Sequence, residues 1–142
     1  MRFSPKLRDV RMDFRLSARD LARLGALYLR QGVWNDTAVV DPQWISQSWQ
    51  PRAYGISSWS NKPSGDYGLG WWLSNQGVHY PGVQVPEGAV SLRDQQGQFL
   101  LLLPTLDLVI VHRVDRQLGG QVTDIDCGSL IMSVLLAKRF VS

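Results

Sequence analysis

The sequence predicts an α+β fold: an antiparallel β-sheet flanked by helices. Three observations carry that expectation. A capped amphipathic segment stands near the start, aromatic and β-branched stretches punctuated by glycine fill the middle, and a second capped helical segment closes the chain. Helix, then strands, then helix is a layer pattern in which the strands return on themselves.

The first helix is justified locally. Ser17 can cap it, and Asp20, three residues on, completes a capping-box pattern and suits the positive end of the helix dipole. Ala18, Leu21, Ala22, Gly25, Tyr28 and Leu29 then fall on one stripe of 3.6 periodicity, and Gly32 ends the helix. Gly25 inside that stripe costs about 1 kcal/mol relative to Ala, and close approach of another backbone is the expected reason. A short second helix is expected over 41–49, capped by Asp41 with Pro42 at its first position. Residues 50–66 read as loop. Strands are expected at Tyr67–Leu73, Ala89–Gln95 and Gln98–Leu103, and at Leu106–Val114 after a hairpin over Pro104-Thr105. The run Phe99–Leu103 is apolar at every position and should be covered on both faces. Thr123 and Asp126 suggest a further capping box. Behind it Ile125, Leu130, Ile131, Val134 and Leu135 describe an amphipathic helix that ends in Lys138-Arg139.

Composition bounds the answer. At 142 residues, 44% hydrophobic and 19% charged, the chain suits one domain, with residues 1–16 as a lead-in arm and 17–142 as its body. Disorder, collagen-like repeats and a disulfide scaffold are excluded, and the single cysteine, Cys127, has no internal partner. The longest apolar run is far short of the roughly 18–20 residues of a membrane span. Met1-Arg-Phe-Ser-Pro-Lys6 holds no apolar signal core, so the chain as given reads as cytoplasmic, or periplasmic if the full-length protein carries a signal peptide.

Charge is uneven: residues 1–30 hold eight Lys/Arg against three Asp, within an overall +3. Those bases alternate with Asp9, Asp13 and Asp20, and only Phe3 and Phe14 stand among the first bases as stacking aromatics. A solvated face or partner contact is therefore expected rather than nucleic-acid binding. Two His and one Cys, far apart, make no metal-ligand spacing. No phosphate loop, dinucleotide fingerprint or Gly-x-Ser-x-Gly elbow is present, so no cofactor is expected.

A wider pattern remains. Ser17-Ala-Arg-Asp-Leu-Ala-Arg-Leu-Gly25, Tyr28-Leu29, Gly32-Val-Trp34 and Trp44 are followed by Tyr67-Gly-Leu-Gly-Trp-Trp72, Gly97-Gln98, Leu101–Pro104 and Leu106–Val111. Over about residues 14–138 this ordered set resembles the C-terminal part of the serine β-lactamase/penicillin-binding-protein-like hydrolases, most closely the class C and esterase types that include 6-aminohexanoate-dimer hydrolases. The resemblance implies the sheet and helices that follow the all-helical lobe of that domain, and hydrolysis of an amide, ester or β-lactam bond.

That chemistry needs a Ser-x-x-Lys nucleophile with its amine, a Tyr-x-Asn or equivalent second base, and a strand that offers an oxyanion N–H. No serine here has Lys three residues later, and no tyrosine has Asn two residues later. The resemblance implies that both motifs lie upstream of Ser17, so no catalytic residue is assigned and the chain alone is expected to be inactive. It places the third element at Leu92-Arg93-Asp94, with Gln95 offering the oxyanion N–H. Related sequences have a small residue where Asp94 stands, and a carboxylate there would crowd substrate and oppose an oxyanion. The other reading of Leu92–Gln95 is an edge strand protected by polar groups. Trp71 and Trp72 must face opposite sides of a strand. The favoured reading has both rings packing; in the alternative one is in the core and the other is a candidate for the substrate pocket, together with Gly97 and Gln98. The expected partners are a second copy of the chain or a separate N-terminal half with the nucleophile, and a small amide or ester substrate. The alternative function is a catalytically inert association or binding module.

Overall fold

A computed structural model describes residues 16–56, 64–94, 96–115, 117, 119 and 122–138. The expected lead-in arm lies outside the described residues except for Leu16, as do Gln95 and Arg139. The element order is α1 (Ala18–Leu29), β1 (Val33–Trp34), β2 (Thr37–Ala38), α2 (Pro42–Ser48), β3 (Asp66–Tyr67), β4 (Trp72–Leu73), β5 (Val90–Arg93), β6 (Phe99–Leu103), β7 (Leu108–His112) and α3 (Asp124–Lys138). Strands β3 to β7 form one antiparallel sheet in sequence order, as the α+β expectation requires.

The helices start where their caps dictate. The Ser17 hydroxyl accepts from the Asp20 amide of α1, and Asp41 accepts from the Gln43 amide of α2 behind Pro42. At α3 the Thr123 hydroxyl accepts from the Asp126 amide while the Asp126 carboxylate accepts from the Thr123 amide, a reciprocal box.

Strand β6 is the centre of the molecule. All five of its residues are buried, so both its faces are covered. Leu100 and Leu102 meet Leu24, Tyr28 and Leu29 of α1 together with Val109 and Val111 of β7. Phe99, Leu101 and Leu103 point the other way, into Tyr80, Val83, Val85, Cys127 and Ile131. Each buried side chain of this size contributes about 1.5–3 kcal/mol of transfer free energy.

Several details differ from the sequence reading. Tyr67–Leu73 is not one strand but the β3–β4 hairpin, because Gly70 takes φ +83° and turns the chain between Tyr67 and Trp72. Residues 33–38 make a small hairpin, β1–β2, turned by Asn35 and Asp36, both at positive φ. The expected stripe of α3 is displaced: Cys127, Gly128 and Ile131 are buried, whereas Ile125 and Leu130 are exposed. Gly25 does face a close neighbour, but a set of side chains rather than a backbone. A Cβ there would lie 2.7 Å from Val109 Cγ1 and 2.8 Å from Leu102 Cδ2. Among the described residues no helix is long and apolar enough to cross a membrane.

The Gly25 contact predicts a graded response. Gly25→Leu should lower stability by about 1–3 kcal/mol through overpacking. Gly25→Ala should cost less, because helix propensity returns about 1 kcal/mol. Urea unfolding followed by circular dichroism reads both, and equal stability of all three proteins would contradict the close approach of α1 to the sheet.

Candidate functional site

The end of β5 and the hairpin loop beyond it bring most of the sequence-derived site residues together. Strand β5 pairs with β4 only through Trp72↔Ser91 and Leu73↔Val90, while its pairing with β6 continues to Leu92↔Leu100 and Arg93↔Phe99. The last two residues of β5 thus continue past the β4 ladder. Beyond them Asp94 organises the loop. Its Oδ1 accepts from the Gln96 amide at 2.9 Å and the Gln98 amide at 3.0 Å, and its Oδ2 accepts from the Gln98 side-chain amide at 3.2 Å. The Asp94 amide in turn donates to the Gln98 carbonyl, closing the hairpin. The carboxylate is directed at its own loop. Gly97 sits at φ +85°, where a Cβ would strike Val122, and its carbonyl accepts from His112 Nδ1 at 2.6 Å.

The period-2 alternation of strands sends Trp71 and Trp72 apart. Trp71 is buried beneath α1, where its ring meets Tyr28 at 4.9 Å and Trp49 at 6.0 Å. Trp72 lies on the opposite face with Ser91, Arg93 and Phe99. There the Arg93 guanidinium is held between two rings, 4.1 Å from the Trp72 centroid and 4.6 Å from that of Tyr80. Its Nη1 donates to the His79 carbonyl at 2.8 Å and its Nη2 to the Ser64 carbonyl at 3.3 Å. Arg93 therefore ties β5 to both the Ser64 and the His79 segments, which already lie side by side through the Asp66–Leu73 pairing and the Asn75–Asp66 hydrogen bonds. Burial pushes its pKa down, with the Tyr80 hydroxyl and the Asp124 carboxylate acting against that.

His79, Tyr80 and Ser91 join Arg93 in this cluster, and sequence reasoning does not select them. His79 and Ser91 are fully buried and share a hydrogen bond of 2.9 Å between Nε2 and Oγ. The Tyr80 hydroxyl is directed at Ser91 and Arg93, although neither contact has hydrogen-bond geometry, and burial raises its pKa. Burial, and after it the Arg93 charge, lowers the pKa of His79 to about 3, against a smaller opposing effect of the Leu73 backbone. The imidazole is neutral at ordinary pH. A serine and histidine in contact can serve as nucleophile and base only if substrate reaches them; this pair is sealed under Tyr80 and Arg93 and holds the sheet face together. Burial likewise raises the Cys127 thiol to about 11, so it is not a reactive thiolate. Among the described residues no three His, Cys, Asp or Glu side chains gather to hold a metal.

No protein-family model matches the chain, and no curated protein matches it. It does match the solved structure of a "Putative 6-aminohexanoate-dimer hydrolase from Bacillus anthracis", with a TM-score of 0.56 and 21% identity, over 87% of this chain and 29% of that one. The likeness shows the fold. This chain has the α+β arrangement of part of a β-lactamase-like domain. It spans less than a third of the length of the protein it matches.

His79 makes stability depend on pH. Its folded pKa lies below the ordinary 6.5, so the unfolded chain binds a proton that the folded chain refuses. Stability from this source is complete above pH 6.5 and falls as pH drops toward 3, by at most about 1.4 kcal/mol per pH unit. His79→Gln, which can still meet Ser91, should lack this component, whereas acid loss from carboxylates such as Asp20 and Asp126 is common to both proteins. Urea midpoints compared from neutral to moderately acidic pH measure the difference, and parallel curves would contradict it.

Proposed function

We propose that this chain is the C-terminal segment of a β-lactamase-like serine hydrolase acting on an amide or ester bond, β-lactams included. In this reading it supplies a pocket wall and the oxyanion strand, while the nucleophile and its base come from a separate N-terminal half. The observation that carries the proposal is the β5 end. Leu92 and Arg93 run on past the β4 ladder into a loop shaped by Asp94, in a fold shared with part of a protein described as a hydrolase. The role of Asp94 is then structural, because by engaging the loop amides it holds Gln96 to Gln98 in place beside the strand. Gln95 is the residue that would offer its N–H to the developing oxyanion. Trp72, Gly97 and Gln98 form the neighbouring wall, and Trp71 supports that wall from the core. The open edge of β7, which pairs only with β6 among the described strands, is where a strand of the other half would add.

A catalytically inert association module is the alternative, and the Asp94 carboxylate is the observation that favours it. One comparison separates the two. The chain alone should hydrolyse neither nitrocefin nor p-nitrophenyl esters above background, and no serine should react with a fluorophosphonate. Mixed with an N-terminal half that contains Ser-x-x-Lys, it should form a complex that hydrolyses one of these substrates, and Trp72→Ala in this chain should weaken that activity severalfold. Labelling of a serine in the chain alone, or an inert complex, would overturn the hydrolase reading.

A further inference from the structure

The loop between β5 and β6 is gripped from outside its own hairpin. The peptide unit that joins Gly97 to Gln98 is held at both ends. Its N–H donates to Asp94 Oδ1 at 3.0 Å, and its carbonyl accepts from His112 Nδ1 at 2.6 Å. A carbonyl has no proton to give, so the hydrogen of this contact sits on Nδ1. His112 ends β7 opposite Phe99, and from there it reaches back past Phe99 to the loop. Its ring stacks on Phe99 with 5.4 Å between centroids and 26° between planes, which fixes the direction of Nδ1. From α3 the Cys127 thiol donates to the same carbonyl at 3.9 Å. Two elements outside the hairpin thus meet one oxygen.

This grip matters because of Gly97. It holds φ +85°, and Val122 fills the place of a side chain, since a Cβ there would lie 2.6 Å from Val122 Cβ. Glycine admits both signs of φ, so a peptide beside it can turn over at little steric cost. Were the Gly97–Gln98 unit to turn over, its N–H would leave Asp94 and its carbonyl would leave His112. Asp94 Oδ1 also holds the Gln96 amide, so the whole loop would lose its shape. Asp94 is a weak guard against this, because it belongs to the loop and moves with it. His112 is fixed in β7, two strands away from β5. We propose that His112 is a positioning residue for this loop: by holding the Gly97 carbonyl it keeps the end of β5 in the conformation from which the Gln95 N–H serves a developing oxyanion. The role rests on the hydrolase reading above, and it adds to it a residue on β7 that does not touch substrate. Oxyanion donors act because they are in place before the charge forms, so a loop free to turn over forfeits rate rather than substrate binding.

Two variants of the full chain test it. His112→Phe keeps a ring over Phe99 but loses the donor, and His112→Asn returns an N–H close to the place of Nδ1. In the chain alone, the Gln98 amide of His112→Phe should exchange with solvent about five- to tenfold faster than in the wild type, as loss of one hydrogen bond implies, and His112→Asn should slow it again. Unchanged protection of the Leu100 and Leu102 amides separates this local release from a general loss of the fold. In the complex with an N-terminal half that contains Ser-x-x-Lys, His112→Phe should lower kcat about ten- to a hundredfold with KM within about twofold, and His112→Asn should recover most of kcat. Unchanged Gln98 exchange in His112→Phe, an active complex whose kcat that substitution leaves alone, or no recovery by His112→Asn would overturn the role of His112 and leave the hydrolase reading standing. A wild-type complex without activity would overturn both.

Discussion

The structure depends on one constraint: β6 must be dry on both faces. Five consecutive apolar residues leave no polar side to turn toward water, so a layer is required above the sheet and another below it. Helix α1 provides the first, and it comes close because position 25 has no side chain. Helix α3 and the segment around Tyr80 to Val85 provide the second. That arrangement sets where everything else can stand. Since β5 pairs with β6 residue for residue, the burial of β6 fixes which side chains of β5 face α1 and which face the polar cluster.

The polar cluster follows from the same geometry. Ser91 and Arg93 alternate with Val90 and Leu92, so they point to the α3 side of the sheet, where Trp72 and Phe99 lie beside them. A guanidinium there has lost much of its water. The rings of Trp72 and Tyr80 and two backbone carbonyls replace it. Asp94, the next residue, leaves the ladder and holds the loop amides instead. Arg93 and Asp94 are adjacent in sequence, yet one organises the sheet face and the other the hairpin end.

Much of the fold is legible in the sequence because its signals are local. The Ser17–Asp20 and Thr123–Asp126 boxes each lie within one helical turn, and the uninterrupted run Phe99–Leu103 admits no half-exposed strand. Two hairpins escape the sequence reading although their signals are present. Gly68-Leu-Gly70 divides the aromatic stretch, and Asn35-Asp36 is a turn pair of residues that tolerate positive φ. The α3 stripe is displaced because α3 is apolar on most of its circumference, so periodicity alone does not say which side faces the sheet. The site is readable only in part. Arg93, Asp94, Gly97 and Gln98 are neighbours in sequence and remain neighbours in space, whereas the His79–Ser91 bond joins residues 12 apart across a loop that has no local periodicity.

Native-state hydrogen exchange of the β6 amides tests the central claim most directly. If β6 is the strand that both helical layers exist to cover, Leu100, Leu101 and Leu102 should exchange only when the whole chain unfolds. Their opening free energy would then equal the unfolding free energy measured in urea, with the α1 and α3 amides at or below it. Exchange of these three amides through a lower-energy local opening, while α1 or α3 stays protected, would contradict the account.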